Sequence, residues 1–457
     1  MKKRVAIFLL TLLLILAFGL TGCNGNTGES KGGTGSKAPG KDEVFDLDGM
    51  KIRIASWWDP IPPDGTANEA RQMEYDRMKA LEKKYNCTFV GVVNGQGELN
   101  SMLDAAIMAD EIFAEIIFMN NTDAKTRMMQ NILLPVSDYF DLDDPMFNQS
   151  VNSMFRDSVS NKVYAFSTFE DVIESTIVFN KTIFDRFGLE NPYDLVKNNQ
   201  WTPEKFSELA TKATRDGVSG FYGVTQNEAL VMWIEALGGS IIKTVDGKYV
   251  SGLKDPKTLE ALEFLYKMNN VTKNVYMPDP EASWDDTNKQ FIAGKVAMAS
   301  NSVNALASIK PNMTDQYGLL PYPKRADAAD YINMASVHNV RVMQPNLDKE
   351  LARKIAIVYQ QMIAPLTDDK EENDRITRSG YEEICWDNES VDLCMELLRK
   401  PTKLFEHISA ASSVWFEDMN PALANALRGE NTIAAAVAAI NDKYQTVLDE
   451  TNATMAK

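Results

Sequence analysis

Between residues 51 and 119 the apolar pattern switches repeatedly between two periods, and that order constrains the fold more than any other feature. Lys51–Ala55 alternates, with Ile52 and Ile54 on one side, as a strand does. Glu69–Tyr85 sets Ala70, Met73, Met78, Leu81 and Tyr85 near helical spacing. Thr88–Val93 reads as a strand, Leu99–Ala109 as a helix and Ile116–Met119 as a buried apolar strand. Strand, helix, strand, helix, strand requires parallel pairing, and so an α/β sheet with helices on its faces.

Further along, Thr202-Pro203 supplies an N-cap and an N1 proline before Phe206, Leu209 and Ala210, and Gly217 stands where a helix would end. Asp255-Pro256 repeats the device. Ser240–Val250 reads as a hairpin turning at Asp246-Gly247. Val296–Ala299 is a short strand, and Thr432–Leu448 is a helix.

The chain of 457 residues is long enough for two to three domains of about 150 residues, so its core needs no disulfide or metal. Its 47 basic and 64 acidic residues give a net charge of −17. Such a surface repels phosphate backbones, so nucleic acid is not an expected partner. Two histidines, His338 and His407, argue against a histidine metal centre or a Ser-His-Asp triad. No cofactor is expected either.

The first residues set the compartment. Lys2, Lys3 and Arg4 precede the apolar run Val5–Leu20, which is shorter than the roughly 20 residues of a spanning helix. This is a secretory signal pattern. Leu20-Thr21-Gly22-Cys23 follows and resembles a bacterial lipobox, which implies cleavage after residue 22 and a lipid on Cys23. Six of the nineteen residues from 24 to 42 are glycine and none is large and apolar, so 23–43 reads as a flexible tether. Its reach is roughly 20–25 Å by random-coil scaling. Removing the signal leaves 44 basic against 64 acidic residues, a net of −20. Cys87, Cys385 and Cys394 remain; an odd count argues for at least one thiol, and no disulfide is assigned to Cys385 and Cys394.

Catalytic signatures are missing. Gly294-Lys295 lacks the rest of a phosphate loop, and neither HExxH nor GxSxG occurs. Asp141-Leu142-Asp143-Asp144 lacks the glycine and distal glutamate of a calcium loop. The aromatic residues say more. Trp57-Trp58-Asp59, Trp284-Asp285-Asp286 and Trp386-Asp387-Asn388 each set an indole beside carboxylates or an amide. A ring covers the C–H face of a pyranose while the polar neighbour bonds its hydroxyls; the competing role of each ring is core packing. Trp201, ahead of a helix cap, reads as a staple.

Several stretches, in order, resemble the extracellular solute-binding proteins of ABC importers, in the branch that holds the maltose- and oligosaccharide-binding proteins. They are Lys162–Phe166, Thr176–Lys181, Phe187-Gly188-Leu189, Trp201–Glu204, Trp233–Gly239, Phe291–Ala299, Leu320–Lys324 and Leu427-Arg428-Gly429. The likeness covers about residues 50–450. It implies two interleaved α/β lobes, a periplasmic-binding-protein-like fold of type II, with ligand between them. Lobe one would take 44–167 and 302–345, and lobe two 168–301 and 346–457. The chain would cross near Ser167–Ile173, near Ser300–Val303, and by the strand containing His338 and Asn339.

Ligands of such folds meet loops at the carboxyl ends of strands. The resemblance therefore points to Trp57, Trp58 and Asp59, to Asn120, Asn121 and Thr122, and to Glu170, Asp171 and Glu174 on the first crossing. In the second lobe it points to Trp233, Ser300, Asn301 and Trp415; His338 and Asn339 stand at the third crossing, and Trp284 and Trp386 complete the candidates. The implied function is capture of a sugar or oligosaccharide by a monomeric, extracytoplasmic, lipid-anchored protein that delivers it to permease subunits without catalysis. A non-sugar solute or a secreted carbohydrate-active enzyme are the alternatives. The body is longer than the maltose type and its Ser56–Gly65 loop differs, so ligand size is not implied.

Overall fold

A computed structural model describes residues 43–457, apart from 66–67, 158, 169–171, 225–226, 284, 333, 338, 400–402, 405–413 and 456–457. The signal, Cys23, nearly all of the tether, Glu170, Asp171, Trp284 and His338 lie outside these residues, as do the side chains of Glu174 and its strand neighbours Val172 and Ile173.

The first sheet contains β1 (Met50–Ser56), β2 (Cys87–Val93), β3 (Ile116–Met119) and β12 (Val340–Val342), in the order β12-β3-β1-β2. β1 runs parallel to both neighbours, with Met50 opposite Cys87 and Ile54 opposite Ile116. The intervening helices α1 (Glu69–Tyr85) and α2 (Gln96–Ala109) make the parallel connections that the alternating pattern predicted. Asn68 caps α1 by accepting from the Arg71 N–H, and Asn86 ends it in a left-handed conformation at φ 48°. Ile52 and Ile54 are buried while Lys51 faces water, as the strand alternation required.

The second sheet runs β13-β11-β4-β9-β5-β8. These are β4 (Val172–Asn180), β5 (Ser219–Tyr222), β8 (Val275–Tyr276), β9 (Val296–Ser302), β11 (Met334–Val337) and β13 (Lys403–Leu404). β4 is the axis. Its first residues pair antiparallel with β11, and its last four with β10 (Tyr317–Leu320). β9 pairs along its other edge, from Ser175 opposite Ser302 to Phe179 opposite Met298. The predicted hairpin is present as β6 (Ile242–Val245) and β7 (Lys248–Ser251), with Asp246 and Gly247 at φ 51° and 74° in the turn. The helix Pro203–Ala213 ends four residues before Gly217, which occupies a separate tight turn at φ 79° and not a helix end.

Each sheet has its own core. One gathers Ile52, Ile54, Phe118, Phe140, Phe147 and Phe166; the other gathers Phe179, Phe206, Phe221, Trp233 and Leu262. The chain passes from the first to the second between Thr168, which bridges to Phe147, and β4, close to the expected first crossing. It returns between β11 and β12.

Two expected boundaries move. Residues 303–320, expected in lobe one, stay on the second sheet, because β10 pairs with β4 and Val303, Leu306, Ile309 and Leu319 pack with Val178 and Phe291. No crossing occurs near 300–303. Residues 349–362, expected in lobe two, form a helix whose Ala352, Ile355, Val358 and Tyr359 join the first core. Among the described residues no helix is long and apolar enough to cross a membrane.

Candidate functional site

β1 delivers its last residue, buried Ser56, to the open end of the first sheet, and Trp57-Trp58-Asp59 leave from there. The turn is held by the Asp59 carboxylate accepting from the Ile61 N–H at 3.0 Å. It folds down over β2 at Gly91, where a Cβ would come within 3.0 Å of that carboxylate and 3.2 Å of Pro60, so a larger residue would push the turn away. Trp57 packs on the first core. Trp58 does not: it keeps 37% of its surface exposed. It is propped edge-on by Trp57 (5.2 Å, 80°) and by Phe118 of β3 (4.7 Å, 62°). Behind Phe118 lies the Arg341 guanidinium, 4.6 Å from the ring, buried and donating to the Tyr359 hydroxyl at 2.9 Å. An indole fixed from behind with over a third of its surface exposed could stack on a ligand at little cost in side-chain entropy.

Asn120 and Asn121 follow β3 and begin the helix α3 (Asn121–Met129). Asn120 is its N-cap: the carbonyl accepts from the Asp123 N–H at 2.7 Å and the amide donates to the Asp123 carboxylate at 2.7 Å. That geometry leaves Asn120 little for a ligand. Asn121 is buried, its carbonyl 3.4 Å from the Thr122 hydroxyl. Val340 pairs with Met119, so Asn339 stands beside Asn120 at the same sheet end. The Asn339 Oδ1 is buried and has no donor among the described residues. An orphaned buried acceptor costs stability unless something completes it.

In the second sheet, Ser300 and Asn301 lie at the carboxyl end of β9, close to where β4 begins. The Ser300 hydroxyl accepts from the Trp233 indole N–H at 3.1 Å. Asn301 donates to Asn288 at 2.7 Å and accepts from the Ser302 N–H at 3.0 Å. The crossing segments leave from these same ends of the two sheets, which therefore share one side of the molecule.

Three tryptophans do not stand there as contacts. Trp233 is 0% exposed and Trp415 1%. Trp233 is packed by Phe206 at 4.8 Å, Tyr322 at 5.4 Å and Phe221 at 5.6 Å, so its faces are used by the core. Trp415 belongs to the same core. Trp386 is 39% exposed, with the Lys310 ammonium 5.2 Å from its ring. Its neighbour Asp387 bonds Lys181, directly after the last residue of β4, so Trp386 lies at the far end of that strand from the crossings.

The sequence reading missed Tyr222 and Tyr276. They end β5 and β8 and stack at 5.6 Å and 26°. The Tyr222 hydroxyl donates to Asp286 at 2.9 Å, and burial, reinforced by that carboxylate, raises its pKa. Their signal was position alone, since each ends a short strand and they meet across 54 residues of sequence. Phe118 and Arg341, the props of Trp58, were missed for the same reason. No group of three His, Cys, Asp or Glu side chains among the described residues could hold a metal ion.

Comparison with known proteins agrees with this architecture. No curated protein matches the chain in sequence. Among solved structures it is similar to a cyclic α-maltosyl-1,6-maltose binding protein from Arthrobacter globiformis, at 16% identity and a TM-score of 0.65, over 88% of this chain and 100% of that one. It is similar to the GacH receptor of Streptomyces glaucescens, studied unliganded and with acarbose, at 16% identity and 0.62, over 88% and 99%. It is also similar to UgpB from Mycobacterium tuberculosis in complex with glycerophosphocholine, at 13% identity and 0.63, over 88% and 99%. At such identities the likeness establishes the two-lobed periplasmic-binding-protein-like fold. A family model covers residues 76–344, more than half of the sequence, and the chain belongs to the bacterial extracellular solute-binding proteins.

Proposed function

We propose that this chain is the substrate-binding component of an ABC importer, capturing a sugar or oligosaccharide between its lobes and handing it to membrane permease subunits. The observation that carries the reading is Trp58: a rigidly backed, exposed indole at the carboxyl end of β1, at the same sheet end as the orphaned Asn339 carbonyl. The ring covers the apolar face of a pyranose and the carbonyl accepts from a hydroxyl. Ser300, Asn301 and the Tyr222–Tyr276 pair would supply the contacts from lobe two. Contacts made by both lobes at once exist only when the lobes close, so ligand selects the closed arrangement. Two of the similar structures named above, those connected with cyclic maltosyl-maltose and acarbose, favour a glucan-like ligand.

A phosphodiester with a quaternary ammonium is the second reading. UgpB carries glycerophosphocholine, and aromatic faces also attract such cations. A thermal-shift screen of linear and cyclic malto-oligosaccharides against glycerophosphocholine separates the two, since ligand bound only by the folded state raises its melting point. The sugar reading expects a shift with the glucans and none with the diester.

The body would act as a monomer outside the cytoplasm, held to the membrane by lipid on Cys23 through the tether. Cys23→Ala then yields a folded, binding-competent protein released from membranes, and membrane retention of that variant contradicts the anchor. Capture is expected without turnover; appearance of shortened glycans on incubation with purified protein contradicts it.

A further inference from the structure

The helix Lys370–Ile384 belongs wholly to neither lobe. Its carboxyl half is fastened to lobe two. Tyr381 and Ile384 pack on the cluster around Val178 and Tyr317, and the Lys310 ammonium donates to the Cys385 carbonyl at 2.6 Å. Its amino half reaches lobe one instead. The two terminal nitrogens of Arg375 each donate to one oxygen of Glu69, the first residue of α1, at 2.9 Å. The segment just upstream is tied to α1 as well: the Arg77 guanidinium donates to the Pro365 carbonyl at 2.7 Å and to that of Ala364. The helix is thus a strap between the lobes, reaching lobe one at the amino end of α1.

A strap fixed at both ends resists any rotation of one lobe against the other, so lobe motion must release an anchor. The lobe-two anchor joins apolar packing on a buried cluster to the Lys310 hydrogen bond. The lobe-one anchor is ionic, and its two side chains are 49% and 51% exposed. Water can replace it, which makes it the anchor that yields. Its fork-on-fork geometry still gives it direction. Glu372, one turn earlier, holds the same guanidinium at 2.8 Å and keeps it aimed when the Glu69 contact opens.

We propose that the Glu69–Arg375 pair is a releasable latch that sets the resting balance between lobe arrangements. This rests on the lobe-closure reading above. An exposed bidentate pair shifts such a balance by up to about fivefold.

The test is a distance measurement on the full chain carrying spin labels at Glu98→Cys on α2 and Ala438→Cys on the last helix. Both sites are exposed, and the native Cys87, Cys385 and Cys394 are buried. Without ligand, Glu69→Gln and Arg375→Gln are each expected to move the interlobe distance populations in the same direction, by about twofold to fivefold. The double variant is expected to match the singles. About 1 M salt, where the screening length is about 3 Å, is expected to move the wild type alike and to leave the variants unchanged. Unaltered populations in both single variants, or additive effects in the double, overturn the latch. The closure reading is judged separately, by whether a malto-oligosaccharide moves the wild-type distance. A wild-type distance that stays fixed sinks closure itself; one that moves while the variants match the wild type sinks only the latch.

Discussion

The two lobes use the same residue type in opposite ways. Lobe one sends Trp58 past the end of a strand and props it from behind, so over a third of its surface meets solvent. Lobe two places Trp233 within the helix Asn227–Ala236 and closes aromatic rings around it, so none does. The indole N–H of Trp233 still reaches the carboxyl end of β9, because it holds the Ser300 hydroxyl. In the proposed site one tryptophan would be a surface for ligand; the other would be a support that orients the Ser300 hydroxyl. The element end on which a ring sits decides its role, and a local motif around the ring does not.

The largest expected effect breaks that comparison if it fails. Trp233→Ala empties a core position and is expected to cost about 3–5 kcal/mol of stability, read by urea unfolding. Trp58→Ala is expected to leave the unfolding midpoint nearly unchanged. A Trp233→Ala protein as stable as wild type would place that ring outside the core. Next, Trp58→Ala is expected to weaken sugar binding by about 1–3 kcal/mol, the scale of lost aromatic burial.

The two asparagines at the end of the first sheet sharpen the contrast between support and contact. Asn120→Ala removes a helix cap and is expected to cost about 1 kcal/mol of stability with affinity kept. Asn339→Ala removes an acceptor that the fold does not use, and is expected to lower affinity by about 1 kcal/mol with stability kept. Reversed outcomes would exchange their roles.

The smallest effect is an acid dependence that Asp387 contributes in lobe two. Burial alone would raise the Asp387 carboxyl, but hydrogen bonds from Lys181 and Ser390 outweigh it and hold its pKa below the usual carboxylate value. A depressed carboxylate stabilises fully above its unfolded pKa and loses that contribution as pH falls through the folded value. Lobe two is therefore expected to weaken below about pH 4, and Asp387→Asn to lack that part of the profile, by circular dichroism.

Local chemistry made much of the fold legible in the sequence. The bounds of α1 and β3, the Thr202 cap and the Asp246-Gly247 turn all depend on neighbours within a few residues, and each stands where the pattern put it. Membership of a lobe does not depend on neighbours. Residues 303–320 and 349–362 changed sides because β10 finds its partner 137 residues earlier, at Asn180, and the second helix packs against α1. The candidate site was half legible for the same reason. Trp57, Trp58, Asp59 and Asn339 follow from strand ends. The Tyr222–Tyr276 stack requires two strands to lie side by side, and the loss of Trp233, Trp415 and Trp386 as contacts requires knowing what surrounds them.

One titration tests the central claim most directly. Wild type and Trp58→Ala are titrated calorimetrically with the malto-oligosaccharide that gives the largest thermal shift. The account predicts measurable binding to wild type and about tenfold or greater weakening in the variant, with its unfolding midpoint unmoved. Equal affinities in the two proteins would contradict it.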